Sequence, residues 1–291
     1  MLQGVIIMFC TTDLAVEAHK FAGENICGVS VEKEQAGSLE ISRMKISSKD
    51  AAEKLGKPCG TYITAEGLPL TDNFRDVREQ ILTVARELYA LLPEKGDILV
   101  IGIGNTEITP DSLGPKSAAQ VLATRHIRGE LARSTGLDRL RSVSVISPGV
   151  LGRTGIEVGE VVSALAFAMH PCAVIAVDAL ASRSLSHLGR TIQLSDSGIS
   201  PGSGVGNNRP ALDSNTLGVP VIGMGVPTVV SAVTLARDIF RKDDGGEDAG
   251  LIVTPREIDL LTERAARLIG MSINCALQQS CSFEELCELV K

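Results

Sequence analysis

The chain has 291 residues, 44% of them hydrophobic and 22% charged, which fits one large folded domain or two modest ones and excludes disorder, collagen and long membrane spans. Two Tyr, six Phe, no Trp and a net charge of −7 remove the stacking platforms and the attraction to phosphate that direct nucleic-acid binding needs. Seven cysteines without CxxC spacing indicate neither a zinc site nor a disulfide framework, and the apolar run from Met1 to Cys10 is too short for a span and lacks a signal-peptide flank, so no metal, cofactor or membrane partner and a cytoplasmic location are expected.

In chain order, the residues up to 70 read as small strands and turns, with alternating stretches such as Leu39-Glu40-Ile41-Ser42 broken by Gly37, Gly56, Pro58 and Gly60. Val77, Ile81, Val84, Ala85, Leu88 and Leu91 recur at helical spacing within Asp72 to Leu92 and predict an amphipathic helix. The apolar run from Asp97 to Asn105 suits a strand buried on both faces. Val143 to Ile146, Ala173 to Val177 and Val219 to Val226 resemble it, with helical patterns at Ser117 to His126, Ile156 to Met169 and Val229 to Phe240, and a short strand at Thr191 to Leu194. Thr254-Pro255-Arg256-Glu257 predicts a capping box with Pro at the first helical position, and Ser282-Phe283-Glu284-Glu285 predicts a second. Arg241 to Gly250, acidic and rich in Gly, reads as a solvated loop. The expected class is α/β: a three-layer α/β/α sandwich around a mainly parallel twisted sheet, with small N-terminal β-rich additions.

In open α/β sheets reacting groups gather beyond the carboxyl ends of the strands. Asp111, in the loop after the Asp97 to Asn105 strand, and Asp178, which ends Ala173 to Val177, both qualify, and each also suits a helix N-cap. Gly102-Ile103-Gly104 has Glu107 where a dinucleotide fingerprint needs a third glycine, and no phosphate loop follows. The stretch from Ser195 to Asn208 reads either as a tight surface loop or as a loop whose bare amides approach a peptide or an oxyanion. Surface or capping roles are expected for His19, His126, His170 and His187. No Gly-x-Ser-x-Gly elbow is present and no cysteine has a legible base.

Several ordered blocks resemble the germination proteases of spore-forming bacteria. They are Thr12-Asp13-Leu14-Ala15-Val16-Glu17-Ala18, Gly102 to Asn105 with Thr109 to Lys116, Thr124-Arg125-His126, Pro148-Gly149-Val150 with Thr154 to Glu157, Val177 to Arg183, and Ser195 to Asn207. The resemblance runs from Thr12 to about Ala276 and implies a fold related to hydrogenase maturation endopeptidases. It implies an atypical acid protease with Asp111 and Asp178 as its catalytic pair, acting on small acid-soluble spore proteins in the spore core. It further implies a homotetramer made as a self-processing zymogen, with residues 1–13 as propeptide and 14–291 as one catalytic domain, 14–70 being its β-rich subregion. The family cuts after an acidic residue followed by small or apolar residues and a Glu, so Thr12 to Glu17 contains a self-processing bond between Asp13 and Leu14; Asp13 also suits a helix cap. Asp196, Gly202, Ser203, Gly204, Gly206 and Asn207 are the substrate-binding candidates. Two departures stand out: the stretch around 241–250 is short for the family, and Ser200 stands where its pattern has His. Two other functions fit the residues, a metal-assisted maturation-type endopeptidase and a nonenzymatic module gripping a peptide with the glycine loop.

Overall fold

The structure, a computed structural model, describes residues 12–23, 25–70, 77–127, 129–203, 209–240 and 251–290. Helix α1 (Ala15–Ala22) leads into the hairpin of β1 (Val29–Ala36) and β2 (Leu39–Ile46), then α2 (Lys49–Leu55), β3 (Gly60–Glu66) and α3 (Arg78–Leu91). The central segment runs through β4 (Ile98–Gly102), α4 (Leu113–Ala119), α5 (Gly129–Thr135), β5 (Val143–Ile146), α6 (Leu151–Thr154), α7 (Val158–Met169) and β6 (Ala173–Ser182). Then follow β7 (Thr191–Ser195), α8 (Ser214–Leu217), β8 (Val221–Ser231), α9 (Ala232–Phe240), β9 (Ile252–Val253), α10 (Ile258–Leu277) and α11 (Phe283–Leu289).

The described strands make one sheet in the order β1-β2-β3-β7-β8-β6-β4-β5, with β9 against β8. It is mixed, which corrects the expectation of a mainly parallel sheet. Only the pairs β4 with β5, β4 with β6 and β6 with β8 are parallel. The reason lies in the connections, because a parallel pair needs a long crossover whereas a short link reverses the chain. Gly37 (φ 59°) and Ser38 alone join β1 to β2, and Arg183 to Arg190 carry no helix between β6 and β7. The β-rich N-terminal residues therefore extend the main sheet through β3 and β7.

Alternation along the strands sorts the core onto two faces. Val100, Ile175, Ile222 and Met224 pack with Ile81, Val84 and Leu88 of α3 and Leu261, Leu268 and Ile269 of α10. On the other face Leu99, Ile101, Val174 and Ala176 meet Val158 and Val162 of α7, while Met44, Ile46 and Tyr62 meet α1 and α2. Helices on both faces of a sheet make the three layers.

Several boundaries differ from the sequence reading. The Ser117 to His126 pattern is realised as α4, which starts earlier because Pro115 is tolerated in a first turn and stops at Ala119, leaving His126 in a turn. The Thr254 capping box does not form: the Thr254 hydroxyl donates to the Thr228 carbonyl at 2.9 Å, and α10 begins at Ile258 without a side-chain cap. The Ser282 box forms as expected. Strand β8 absorbs Val229 to Ser231, so α9 starts at Ala232. Strand β6 runs on to Ser182, which puts Asp178 inside a strand. The region 241–250 and the first part of the Asp72 to Leu92 pattern, 72–76, lie outside the described residues.

Close backbone approach fixes α4 against the strand ends. A Cβ on Gly114 would lie 2.1 Å from the Ile103 carbonyl oxygen and 2.4 Å from that of Val177, which accepts the last bond between β4 and β6. Gly114→Ala is therefore expected to lose roughly 1–3 kcal/mol or more of stability through overpacking. Gly152→Ala, in a helix with nothing within 4 Å of the added atom, should be neutral or stabilising. Urea unfolding of both variants checks the contrast.

Candidate active site

Strand β4 has β5 on one side and β6 on the other, so the chain moves one way from β4 and returns to the opposite side. A sheet opens a crevice at the carboxyl ends of its strands where the order reverses in this way. Asp111 and Asp178 stand at that crevice. The last bond between β4 and β6 runs from the Ile103 N–H to the Val177 carbonyl, at 2.8 Å, and Asp178 is the next residue.

Asp111 closes a 3₁₀ turn, Thr109–Asp111, and its Oδ2 accepts from the Asn105 N–H at 2.8 Å. Gly104 (φ 130°) lets this loop fold back, since a Cβ there would meet the Asp111 carbonyl oxygen at 2.0 Å. Gly102, which ends β4, and Gly104 both serve close packing, the first against Gly114 and the second against Asp111. Asp178 is 4% exposed and its Oδ1 accepts from the Ala179 N–H at 2.8 Å. Neither aspartate caps an α-helix: Asp178 is in β6, and α4 starts from Ser112. Both line one cavity of about 250 Å³, with Asp13, Gly104, Gly202 and Arg209.

Burial pushes the Asp178 carboxyl well above the usual range, and the charges of Asp111 and Asp13 push it further against the pull of its Ala179 bond and Arg209. Burial also raises Asp111, while the Asn105 amide and Arg209 draw it back. A buried neighbour with a like charge next to a less buried carboxylate is the arrangement in which one proton is held by the pair.

Beyond Val177 the edge of β6 that faced β4 is open, and the N-terminal segment docks there. The Asp13 N–H donates to the Ala181 carbonyl at 2.9 Å, and the Ala181 N–H donates to Asp13 Oδ2 at 2.8 Å. Ser203 Oγ donates to Asp13 Oδ1 at 2.6 Å, Gln193 Nε2 donates to the Asp13 carbonyl at 2.9 Å, and Lys57 Nζ donates to the Thr12 carbonyl at 2.8 Å. Leu14, fully buried, is the cap residue of α1, and no side chain caps that helix. The helix-cap alternative for Asp13 is therefore not realised.

Four residues on, Glu17 anchors the segment. Its carboxylate accepts from the Arg183 and Ser184 N–H groups at 2.6 and 2.8 Å, from the Thr12 hydroxyl and from His187 Nδ1 at 2.6 Å. His187 Nε2 lies 3.2 Å from Glu66 Oε2. Only the imidazolium donates from both ring nitrogens, and the bonds to Glu17 and then Glu66 push His187 up to about 9. Burial works to raise Glu17, and its bonds to His187, Thr12 and the two amides outweigh it, so the carboxyl sits below the usual range. His187 is thus a largely buried cation, a correction to the surface or capping role expected of it. His170 does close α7, in a left-handed conformation.

Of the substrate-binding candidates, Gly202 lines the aspartate cavity and Ser203 holds Asp13. Asp196 stands apart, its Oδ1 accepting from the Thr61 N–H at 2.6 Å, outside the linings of both cavities that reach Asp13. Ser200 lines the second of these cavities. Gly204, Gly206 and Asn207 lie outside the described residues. Arg209, Gln193, Lys57 and the Ala181 amide were not singled out from sequence. Gln193 carried a signal, a polar residue between Ile192 and Leu194, and Arg209 directly follows the glycine loop. Among the described residues no group of three or more His, Cys, Asp or Glu side chains converges to hold a metal ion, and no helix is long and apolar enough to cross a membrane.

A family model described as germination protease matches residues 10–241. A germination protease of Caldanaerobacter subterraneus subsp. tengcongensis is 38% identical over 98% of this chain and 99% of its own length. One from Clostridium perfringens is 36% identical over 94% of this chain and 97% of its own, and one from Priestia megaterium is 42% identical over 78% of this chain and 65% of its own. Among solved structures, the [NiFe] hydrogenase maturation protease HycI from Thermococcus kodakarensis is similar over 64% of this chain and 98% of its own, at 20% identity and a TM-score of 0.37.

The raised Asp178 carboxyl has a cost for the fold. The native state keeps a proton that the unfolded chain releases above about pH 4, so stability is lost as pH rises from there toward the native pKa. Asn carries no such proton. Asp178→Asn is expected to unfold at a higher temperature than the parent at pH 7.5, with the gain shrinking toward zero near pH 4, as read by thermal melts across that range.

Proposed function

We propose that this chain, which belongs to the germination protease family and is an endopeptidase, starts the breakdown of small acid-soluble spore proteins during germination by paired-aspartate hydrolysis. The observation that carries the mechanism is the pair itself: Asp111 and Asp178 share one cavity, and the more deeply buried of them has the higher proton affinity. Amide hydrolysis needs a base to activate water and an acid to protonate the leaving nitrogen. Asp111, eased toward its charged form by Asn105 and Arg209, acts as the base, and Asp178, which keeps its proton, acts as the acid. Water adds to the carbonyl carbon, and the C–N bond breaks as Asp178 gives up its proton. No covalent intermediate forms.

The substrate preference follows from what Asp13 touches. An acidic side chain before the cut finds the Ala181 N–H and the Ser203 hydroxyl, while its own N–H pairs with the Ala181 carbonyl. Such a residue adds to an open strand edge, the way extended peptides commonly dock. The chain presents its own Asp13 in this manner, and the Asp13 to Leu14 bond lies ahead of α1 in extended backbone. This supports a zymogen that removes residues 1–13 from itself. A homotetramer in the spore core completes the reading and rests on the family resemblance.

Purified Asp111→Asn and Asp178→Asn should each fold and each lose on the order of 10³-fold or more of the cleavage of a purified acid-soluble spore protein. Residues that act as a unit are non-additive, so the double variant should be no worse than either single one. Substantial activity in Asp178→Asn would end the assignment. Self-processing is checked by incubating the full-length chain and sequencing the amino terminus of the shortened product. Leu14 is expected there, and no shortening in Asp111→Asn; a stable full-length chain that already cuts spore proteins would sink the zymogen reading.

A further inference from the structure

Gln193 sits in β7, which pairs antiparallel with β3 on one side and β8 on the other. Its neighbours Ile192 and Leu194 pack into the α3 and α10 face of the core, and Gln193, 8% exposed, faces the opposite side. There its amide spans the Asp13 to Leu14 peptide: Nε2 donates to the Asp13 carbonyl oxygen at 2.9 Å, and Oε1 accepts from the Ala15 N–H at 2.6 Å. Chemistry fixes this orientation, because a backbone N–H only donates and a carbonyl only accepts, so a flipped amide would lose both bonds. Asp13 lines two cavities at once. One holds Asp111 and Asp178; the other, of about 150 Å³, is lined by Gln193. This residue therefore borders the cavity of the paired aspartates on one side and the cavity lined by Gln193 on the other, with its carbonyl already held by the amide donor.

We propose that Gln193 is a catalytic residue whose Nε2–H holds the carbonyl oxygen of the bond being cut and stabilises the oxyanion that forms there. The inference rests on the paired-aspartate reading of the site. As Asp111 takes a proton from water, the water oxygen bonds to the carbonyl carbon and the C=O π electrons move onto oxygen. That charge arises against a donor already in place on a side chain that is itself largely buried, where such a bond counts for more than it does in water. When the C–N bond breaks, the electron pair returns to re-form the carbonyl and Asp178 protonates the nitrogen. A neutral amide suits the task, since it offers a donor to the carbonyl and, from a separate atom, an acceptor to the Ala15 N–H.

The test uses the self-processed enzyme and a ten-residue peptide copying Thr11 to Lys20, with Asp178→Asn run alongside. Gln193→Ala should lower kcat by about 10²–10³-fold, the loss typical of a removed oxyanion donor, with little change in KM. Gln193→Glu, of the same shape, should be equally impaired at neutral pH and regain activity in mild acid, where its carboxyl is protonated and donates again. Because variants this slow will not process themselves, they are converted with a trace of active enzyme, and their melts confirm folding. A wild-type kcat with a raised KM in Gln193→Ala would make Gln193 a binding brace and overturn the proposal. An active Asp178→Asn would instead overturn the paired-aspartate reading, and this inference with it.

Discussion

One hydrogen bond divides the scaffold from the site, the bond from the Ile103 N–H to the Val177 carbonyl that ends the pairing of β4 with β6. Up to it the two strands share a regular parallel ladder, Ile98 against Ala173 through Gly102 against Val177. Past it β4 turns away through Gly104, while β6 continues for five residues held by β8. The divergence bares one edge of β6 where the chain is still rigid. Asp178 stands at the fork, Asp111 is brought back over it, and Ala181 offers both its N–H and its carbonyl to whatever lies along the edge.

Holding two carboxylates at such a fork works against stability, because the deeper one must keep its proton or lose its hydration. The fold tolerates this by surrounding the fork with rigid material. Strand β6 lies in the sheet interior, α4 rests on the strand ends through Gly114, and Gly225 leaves room over the Asp178 backbone, where a Cβ would come within 2.2 Å of the Asp178 carbonyl oxygen. Arg209 supplies an opposing charge within the cavity. Strain at a site paid for by a well-packed frame is a common division of labour in enzymes.

Much of this was legible in the sequence. The apolar runs at Ile98 and Ala173 announced strands buried on both faces, whereas the similar run at Val143 forms the half-buried edge strand β5. The rule that reacting groups gather at carboxyl ends picked out Asp111 and Asp178. The mixed character of the sheet was hidden because strand direction is set by the length and content of a link. The residues between β6 and β7 carry no helical pattern, a weak negative sign. The Thr254 box failed since the same hydroxyl found a carbonyl in a distant strand, a tertiary competitor that local pattern does not reveal. The same blindness covered Gln193 and His187. Each is a polar residue whose partners, Asp13 and Ala15 in one case, Glu17 and Glu66 in the other, lie more than a hundred residues away in the chain.

The seating of residues 12–17 along β6 has a kinetic consequence on the proposed reading. A segment tethered in its own cleft is present there at an effective concentration on the order of millimolar, whatever the concentration of the protein. Its removal is therefore a first-order event, insensitive to dilution, and proceeds at the same pace in a crowded compartment and in a test tube. A protein substrate arriving from solution at micromolar levels is outcompeted as long as the tether holds. Cleavage frees the competitor from its tether, and the edge of β6 is then open to a second chain.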